Sequence, residues 1–250
     1  MKMNVSKSIW KHASACANNL SELELTLGEV GRAVEDAKQS VIYADRSGDA
    51  FERMSRRTIH AEALHQAGHW AEAETRFREA ELIQTERQPE RPWLYSLSGF
   101  RYCDLLLSAP ERVVWQHCIF EAPYLGIQGI RISGQQDELP KALLTRAWCA
   151  CAEISFFANS NQDKTKSIKR AQEDLDEAWE IAERGLMKLY MAEILLSRAR
   201  LFGMRHDSEQ HLYEGTEKDL AEARKLIVIC GYGRRQGELE DAEKALAQRA

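Results

Sequence analysis

Apolar residues recur every three or four positions along most of this chain, and turn residues interrupt them at regular intervals. That spacing places them on one face of an α-helix. It predicts a helix over 5–26, with Ile9, Leu20, Leu23 and Leu27 on the buried side and Gly28 as its stop. A second helix follows over 31–47, where Val34, Ala37, Val41 and Ala44 continue the stripe from Val30. Ser47-Gly48-Asp49 ends it in turn chemistry. The next hairpin joins a helix over 50–67 (Phe51, Met54, Ile59, Ala63, Leu64) to one over 70–85 (Trp70, Ala73, Phe77, Ala80, Leu82), through Gly68-His69. Pro89 and Pro92 punctuate, a helix over 93–107 follows, and Pro110 begins a new segment.

Between 110 and 138 the period is lost. Pro123, Gly126, Gly129 and Gly134 break any long helix, and Leu125, Ile127, Ile130 and Ile132 are apolar without helical spacing. This segment reads as an irregular crossover. Helices resume over 139–157 and, after a polar loop at 159–166, over 167–183. Gly185 stands there as a left-handed cap. Helices at 186–203, 216–230 and 238–248 complete the chain. The region from Arg205 to Gly215 is a linker, and the charged last helix suits a capping role.

The chain repeats itself twice. Asp174-Leu175-Asp176-Glu177-Ala178 returns 45 residues later as Asp219-Leu220-Ala221-Glu222-Ala223. Gly28, Ala33 and Ala37 are echoed 40 residues on by Gly68, Ala73 and Phe77. Such periods mark stacked helical hairpins, none of which buries its apolar face alone. The expected organisation is hairpins over 1–109, the crossover over 110–138 and hairpins over 139–250.

The run Ala61, Leu64, Gly68-His69-Trp70, Ala73, Phe77, Ala80 resembles the tetratricopeptide repeat family. In that family small residues sit where two antiparallel helices cross, and an aromatic fills the contact with the next repeat. The terminal proline is out of register, and the 40- and 45-residue offsets exceed the family's usual 34. The resemblance implies an all-α fold, a right-handed superhelix of antiparallel helix pairs. Four segments further resemble the helical-repeat regions of bacterial signalling proteins that carry a NACHT or related STAND-type NTPase. They are 94–107, 134–141, Glu180–Met187 and Gly231-Tyr232-Gly233-Arg234-Arg235. The chain itself holds no Gly-x-x-x-x-Gly-Lys-Ser/Thr phosphate loop.

Composition narrows the function class. Net charge is −5, with Lys and Arg scattered among Asp and Glu, so nothing electrostatic favours nucleic acid or an anionic membrane surface. No apolar run is long enough to span a bilayer. Ala13-Ser14-Ala15-Cys16 resembles a cleavage or lipidation site, but Lys7, Lys11 and His12 interrupt the apolar core it would need. A cytoplasmic location is expected. The six cysteines match no disulfide framework or zinc motif and read as buried or half-buried thiols. His65 and His69 have the spacing of a metal pair, with His60 nearby, but Gly68 ends the helix between them. The acid pairs fall on solvated helical faces, and no nucleophile elbow or dinucleotide fingerprint occurs.

The sequence therefore points to a binding surface without catalysis and without a cofactor. The family's register puts Asn18, Glu22 and Leu25, then Thr58, Glu62 and His65, on the concave face, and Arg101 near Tyr95 and Tyr102 suits peptide recognition. The expected partner is a protein or peptide, held as an extended strand or a helix. The alternative partner, implied by the signalling resemblance alone, is an NTPase that this chain regulates.

Overall fold

A computed structural model describes residues 2–117, 144, 161–203 and 215–248. Every element among them is helical. In order they are α1 (Lys2–Leu27), α2 (Val30–Ser47), α3 (Ala50–Gln66), α4 (Trp70–Arg87), α5 (Ser96–His117), α6 (Asn161–Arg184), α7 (Lys188–Arg198), α8 (Thr216–Cys230) and α9 (Gln236–Ala247). A π-turn over Ala199–Gly203 extends α7, and a 3₁₀ turn over Gly233–Arg235 precedes α9. No described helix is long and apolar enough to cross a membrane. The chain divides into two compact units, Met1–Arg112 with Val228–Arg235, and Val113–Ile227 with Gln236–Ala250.

In the first unit, α1 to α4 form two antiparallel hairpins, and α2 packs on both α1 and α3. The 40-residue echo is an echo of burial. Ala33, Ala37, Ser40 and Ala44 are sealed from solvent, and so are Ala73, Phe77, Ala80 and Gln84. Small side chains at the crossings let the helix axes approach, and Phe77 fills the wider gap, stacking on Tyr102 of α5 with ring centroids 4.9 Å apart. Ala73→Leu should overpack this crossing and cost about 1–3 kcal/mol. Urea denaturation reads the difference, and wild-type stability would contradict the register.

The hairpin turns share one cap. Glu29 N donates to Glu24 O (2.8 Å) and His69 N donates to Leu64 O (2.8 Å), with Gly28 and Gly68 at φ 79° and 82° between them. These are Schellman ends, which favour glycine because φ is positive. At the other end of the hairpin, Asp49 caps α3 by accepting from Glu52 N at 3.0 Å. Lys11 of α1 pairs with Asp49 at 3.1 Å, and Arg57 ties α2 to α4 through Asp45 (2.9 Å) and Glu79 (3.2 Å).

In the second unit, α6 and α7 form a hairpin around Ala171, Leu175, Ala178, Ala182, Ile194 and Leu201, with Leu144 in the same cluster. The 45-residue echo again marks equivalent burial, since Asp174, Leu175 and Ala178 are buried like Asp219, Leu220 and Ala223. Arg200 reaches Glu238 of α9 at 3.3 Å with both side chains 8% exposed.

Several sequence expectations shift. The α5 helix continues through Pro110 to His117, although proline withholds one backbone donor there. The polar loop expected at 159–166 is helical from Asn161. The left-handed cap falls on Leu186 (φ 52°), not on Gly185, because Met187 N donates to Ala182 O and Leu186 N to Glu183 O. A leucine there is strained by about 1–2 kcal/mol. Leu186→Gly is expected to stabilise by roughly 0.5–1 kcal/mol after the added freedom of the unfolded chain is subtracted. A lowered urea midpoint would refute that. Cys16 and Cys103 are exposed and only Cys230 is buried among the described cysteines. The helix expected at 139–157, apart from Leu144, the linker from 205 to 215, apart from Gly215, and most of the crossover lie outside the described residues.

Candidate functional site

Helices α1, α3 and α5 lie side by side in one layer of the first unit. Ser14 Oγ sits 3.5 Å from Glu52 between α1 and α3, while Thr58 Oγ1 meets Ser98 Oγ at 3.2 Å and His65 Nε2 meets Ser108 Oγ at 3.1 Å between α3 and α5. Each contact pairs a residue with one about 40 positions on, so the three helices run parallel. The second layer, α2 and α4, packs behind them.

This arrangement divides the expected binding residues. Thr58 and His65 are fully buried at the α3–α5 contact, and His65 also packs edge-on against Trp70, with ring centroids 4.9 Å apart. Leu25 packs against the cluster of Ala33, Ala37, Ile59 and Ala63. The remaining four, Asn18, Glu22, Glu62 and Arg101, carry the polar chemistry. Asn18 Nδ2 donates to Glu22 Oε2 at 2.9 Å, and Arg101 Nη2 donates to Glu22 Oε1 at 3.0 Å. On α3, the Gln66 amide donates to the Glu62 carboxylate one turn away.

Arg101 spans the layer. With the offset of Ser14 to Glu52, Glu22 stands level with His60; with that of Thr58 to Ser98, Arg101 stands level with Ala61. The guanidinium therefore reaches from α5 to Glu22 of α1 at the level of His60 and Ala61 on α3. The Arg101 side chain is 15% exposed and that of Glu22 is 38% exposed, so Glu22 forms the open rim. Asn18 Oδ1 on α1 and Glu62 Oε2 and Gln66 Oε1 on α3 are buried acceptors without a hydrogen-bond donor, and Arg56 Nε on α3 is a buried donor without an acceptor.

The chain matches no protein-family model, no curated protein and no solved structure. Function must be read from its own residues.

Beside this layer lies a contact that the helical period does not reveal. Gly233 packs backbone to backbone against the turn after α3, so close that a Cβ on it would stand 2.2 Å from Ala67 O, and one on Gly68 would stand 2.9 Å from Gly233 C. Arg234 then forks onto Asp104 of α5, Nη1 to Oδ2 at 2.7 Å and Nη2 to Oδ1 at 3.0 Å, with its side chain 2% exposed. Tyr232 is fully buried next to them in sequence. Gly231 does end its helix, at φ 66°, but Arg234 turns to Asp104. No sequence signal pointed to this contact.

The histidines do not converge on a metal site. His69 is exposed near Glu72, His65 is bonded to Ser108, and no group of three or more potential ligands forms among the described residues. His60 is buried, and that burial, with Arg76 and Lys38 adding to it, pushes its imidazole down to about 4. The unfolded chain has a pKa of about 6.5, so it binds the proton first. The neutral ring's stabilisation is complete above about pH 6.5 and is lost as pH falls towards about 4. The loss is on the order of 2 kcal/mol after solvent screening. Denaturation midpoints of wild type and His60→Gln should diverge across that window, and parallel curves would contradict the assignment.

Proposed function

We propose that this chain is a non-enzymatic helical-repeat scaffold of α-solenoid type, which binds a protein or peptide on the layer built by α1, α3 and α5. The observation that carries this reading is the layer itself. Three parallel helices carry Asn18, Glu22 and Arg101, joined through Glu22, and Glu62 bonded to Gln66, while α2 and α4 supply the apolar backing. A rigid packed layer presents side chains at fixed separations, which lets many modest contacts add to useful affinity without ordering cost on the protein's side. The equivalent burial in both echoes supports repeat stacking. The one serine–histidine contact named in the layer, Ser108 with His65 at 3.1 Å, is buried between α3 and α5, which favours binding over nucleophilic chemistry.

The test is selection of peptides from a displayed random library on the full chain. Selected peptides should bind wild type and the α4 control Glu81→Arg alike, and lose most affinity for Glu22→Arg, which fills the open rim. A library that enriches nothing, or peptides indifferent to Glu22→Arg, would count against the reading.

A further inference from the structure

We infer that two copies of this chain pair through the outer edge of α1, helix against antiparallel helix, along the seam Ile9, Ala13, Cys16, Leu20, Leu23 and Leu27. The contact goes beyond the peptide-binding reading and uses a different side of α1 from the polar side that carries Glu22.

The polarity of α1 is reversed. Its buried side carries Ser14, Asn18, Ser21 and Glu24. Ser21 Oγ donates to Ala33 O of α2 at 2.8 Å, Ser14 Oγ lies 3.5 Å from Glu52 of α3, and Trp10 stacks on Tyr43 of α2. The apolar residues lie elsewhere. Ile9, Leu20 and Leu23 are 60%, 42% and 55% exposed, and Cys16 is exposed with them. At 3.6 residues per turn the six seam positions fall within about 80° of arc, roughly a third of a turn from the contacts with α2 and α3. They form the free edge of the layer's first helix. A repeat array stays soluble by turning a polar face outwards at its ends, so an apolar end calls for a cover.

The pattern says what covers it. The seam advances in steps of 4, 3, 4, 3 and 4 residues, the heptad alternation that keeps an apolar row facing one partner helix. The flank formed by His12, Asn19 and Thr26 carries no fixed charge, so a second copy meets no like charge there. Charge then sets the direction. Lys7 and Lys11 lie in the N-terminal half of α1, and Glu22 and Glu24 in the C-terminal half. A parallel pair would set like ends level, whereas an antiparallel pair opposes them and opposes the helix dipoles. Side-chain sizes agree. About a two-fold axis at Asn18, Ile9 faces Leu27, Ala13 faces Leu23 and Cys16 faces Leu20, so each small side chain meets a leucine. A parallel pair would set Ala13 against Ala13 and leave a void.

The experiment is sedimentation equilibrium of the full chain over a concentration series. The mass should rise from 28.6 kDa towards twice that value. Combining Leu20→Glu with Leu23→Glu should weaken the association about a hundredfold or more, since the two-fold axis brings each buried charge in twice. Both side chains are exposed in the single chain, so the dilute variant should melt with wild type. Leu107→Glu, at an exposed position on α5, should leave the association unchanged. Oxidative cross-linking in a Cys103→Ser background reads the direction: Leu20→Cys should give a covalent dimer that disappears when Cys16→Ser is added. A mass of 28.6 kDa at every concentration would overturn the inference, as would a dimer that survives the two glutamates. Equal dissociation by Leu107→Glu would mean head-to-tail stacking of unlike edges and overturn it too. A cross-link that survives Cys16→Ser would overturn the antiparallel arrangement.

Discussion

Gly233→Ala should destabilise the first unit by about 3 kcal/mol, near the upper end of what overpacking costs. The reason is local and steric. The added Cβ would stand 2.2 Å from the carbonyl oxygen of Ala67 and 2.8 Å from its carbon. Both are backbone atoms at the end of α3, where Ala67 N and Gly68 N donate to Ala63 O and His65 O. No rotamer change relieves the clash. The turn must lift away, which draws buried Tyr232 and Arg234 from their places. Gly231→Ala is the contrasting control. Gly231 has open space around it but sits at φ 66°, so that variant carries only the left-handed backbone cost, about 1–2 kcal/mol. Urea denaturation compares the two, and amide hydrogen exchange over 231–235 localises the effect. If Gly233→Ala unfolds at the wild-type midpoint, the turn is not docked on α3.

Asp104→Ala should cost about 3–5 kcal/mol, the usual range for breaking a buried ion pair from one side. The variant removes both short charge-assisted contacts of a guanidinium that is 2% exposed. The asymmetry matters more than the pair's net worth. Arg234 loses its fork partner without regaining water, whereas the Asp104 side chain is 15% exposed and is hydrated more readily when Arg234 is cut back. Arg234→Ala is therefore expected to cost less than Asp104→Ala, and the double variant less than the two singles added together. A double-mutant cycle by chemical denaturation measures this. Additive losses would show that the two residues are not coupled.

Both variants act on a contact between residues 130 positions apart in sequence. That separation explains why helix patterning leads towards an open row of hairpins and does not reveal the return of 231–235 to the N-terminal unit. The helices themselves were legible. Their period is local, and Gly28 and Gly68 are stops for a backbone reason that needs no tertiary partner. The alanines at 33, 37 and 73 were legible as crossing positions because small residues inside an apolar stripe have few other uses. Leu186 was not legible as the cap, since a local rule favours the glycine beside it. The hydrogen-bond closure at Ala182 and Glu183 places the left-handed residue one position later.

The candidate binding residues divide the same way. Asn18, Glu22 and Glu62 were selected by the family's register and Arg101 for its neighbouring tyrosines, and the structure joins Asn18 and Arg101 through Glu22. Thr58 and His65 share that register but are taken up by Ser98 and Ser108. A single helix cannot show which side its neighbour will occupy. Periodicity thus determined most of the helices and the stops at Gly28, Gly48 and Gly68, because those follow from interactions within a few residues, but not every end or face: α5 runs past Pro110 to His117, and Ile9, Leu20 and Leu23, expected on the buried side of α1, are exposed. The assignment of faces, the partner of Arg234, the closeness of Gly233 to Ala67 and the unmet acceptors on α1 and α3 were decided by tertiary packing. Each depends on where a second segment, tens of residues away, comes to rest.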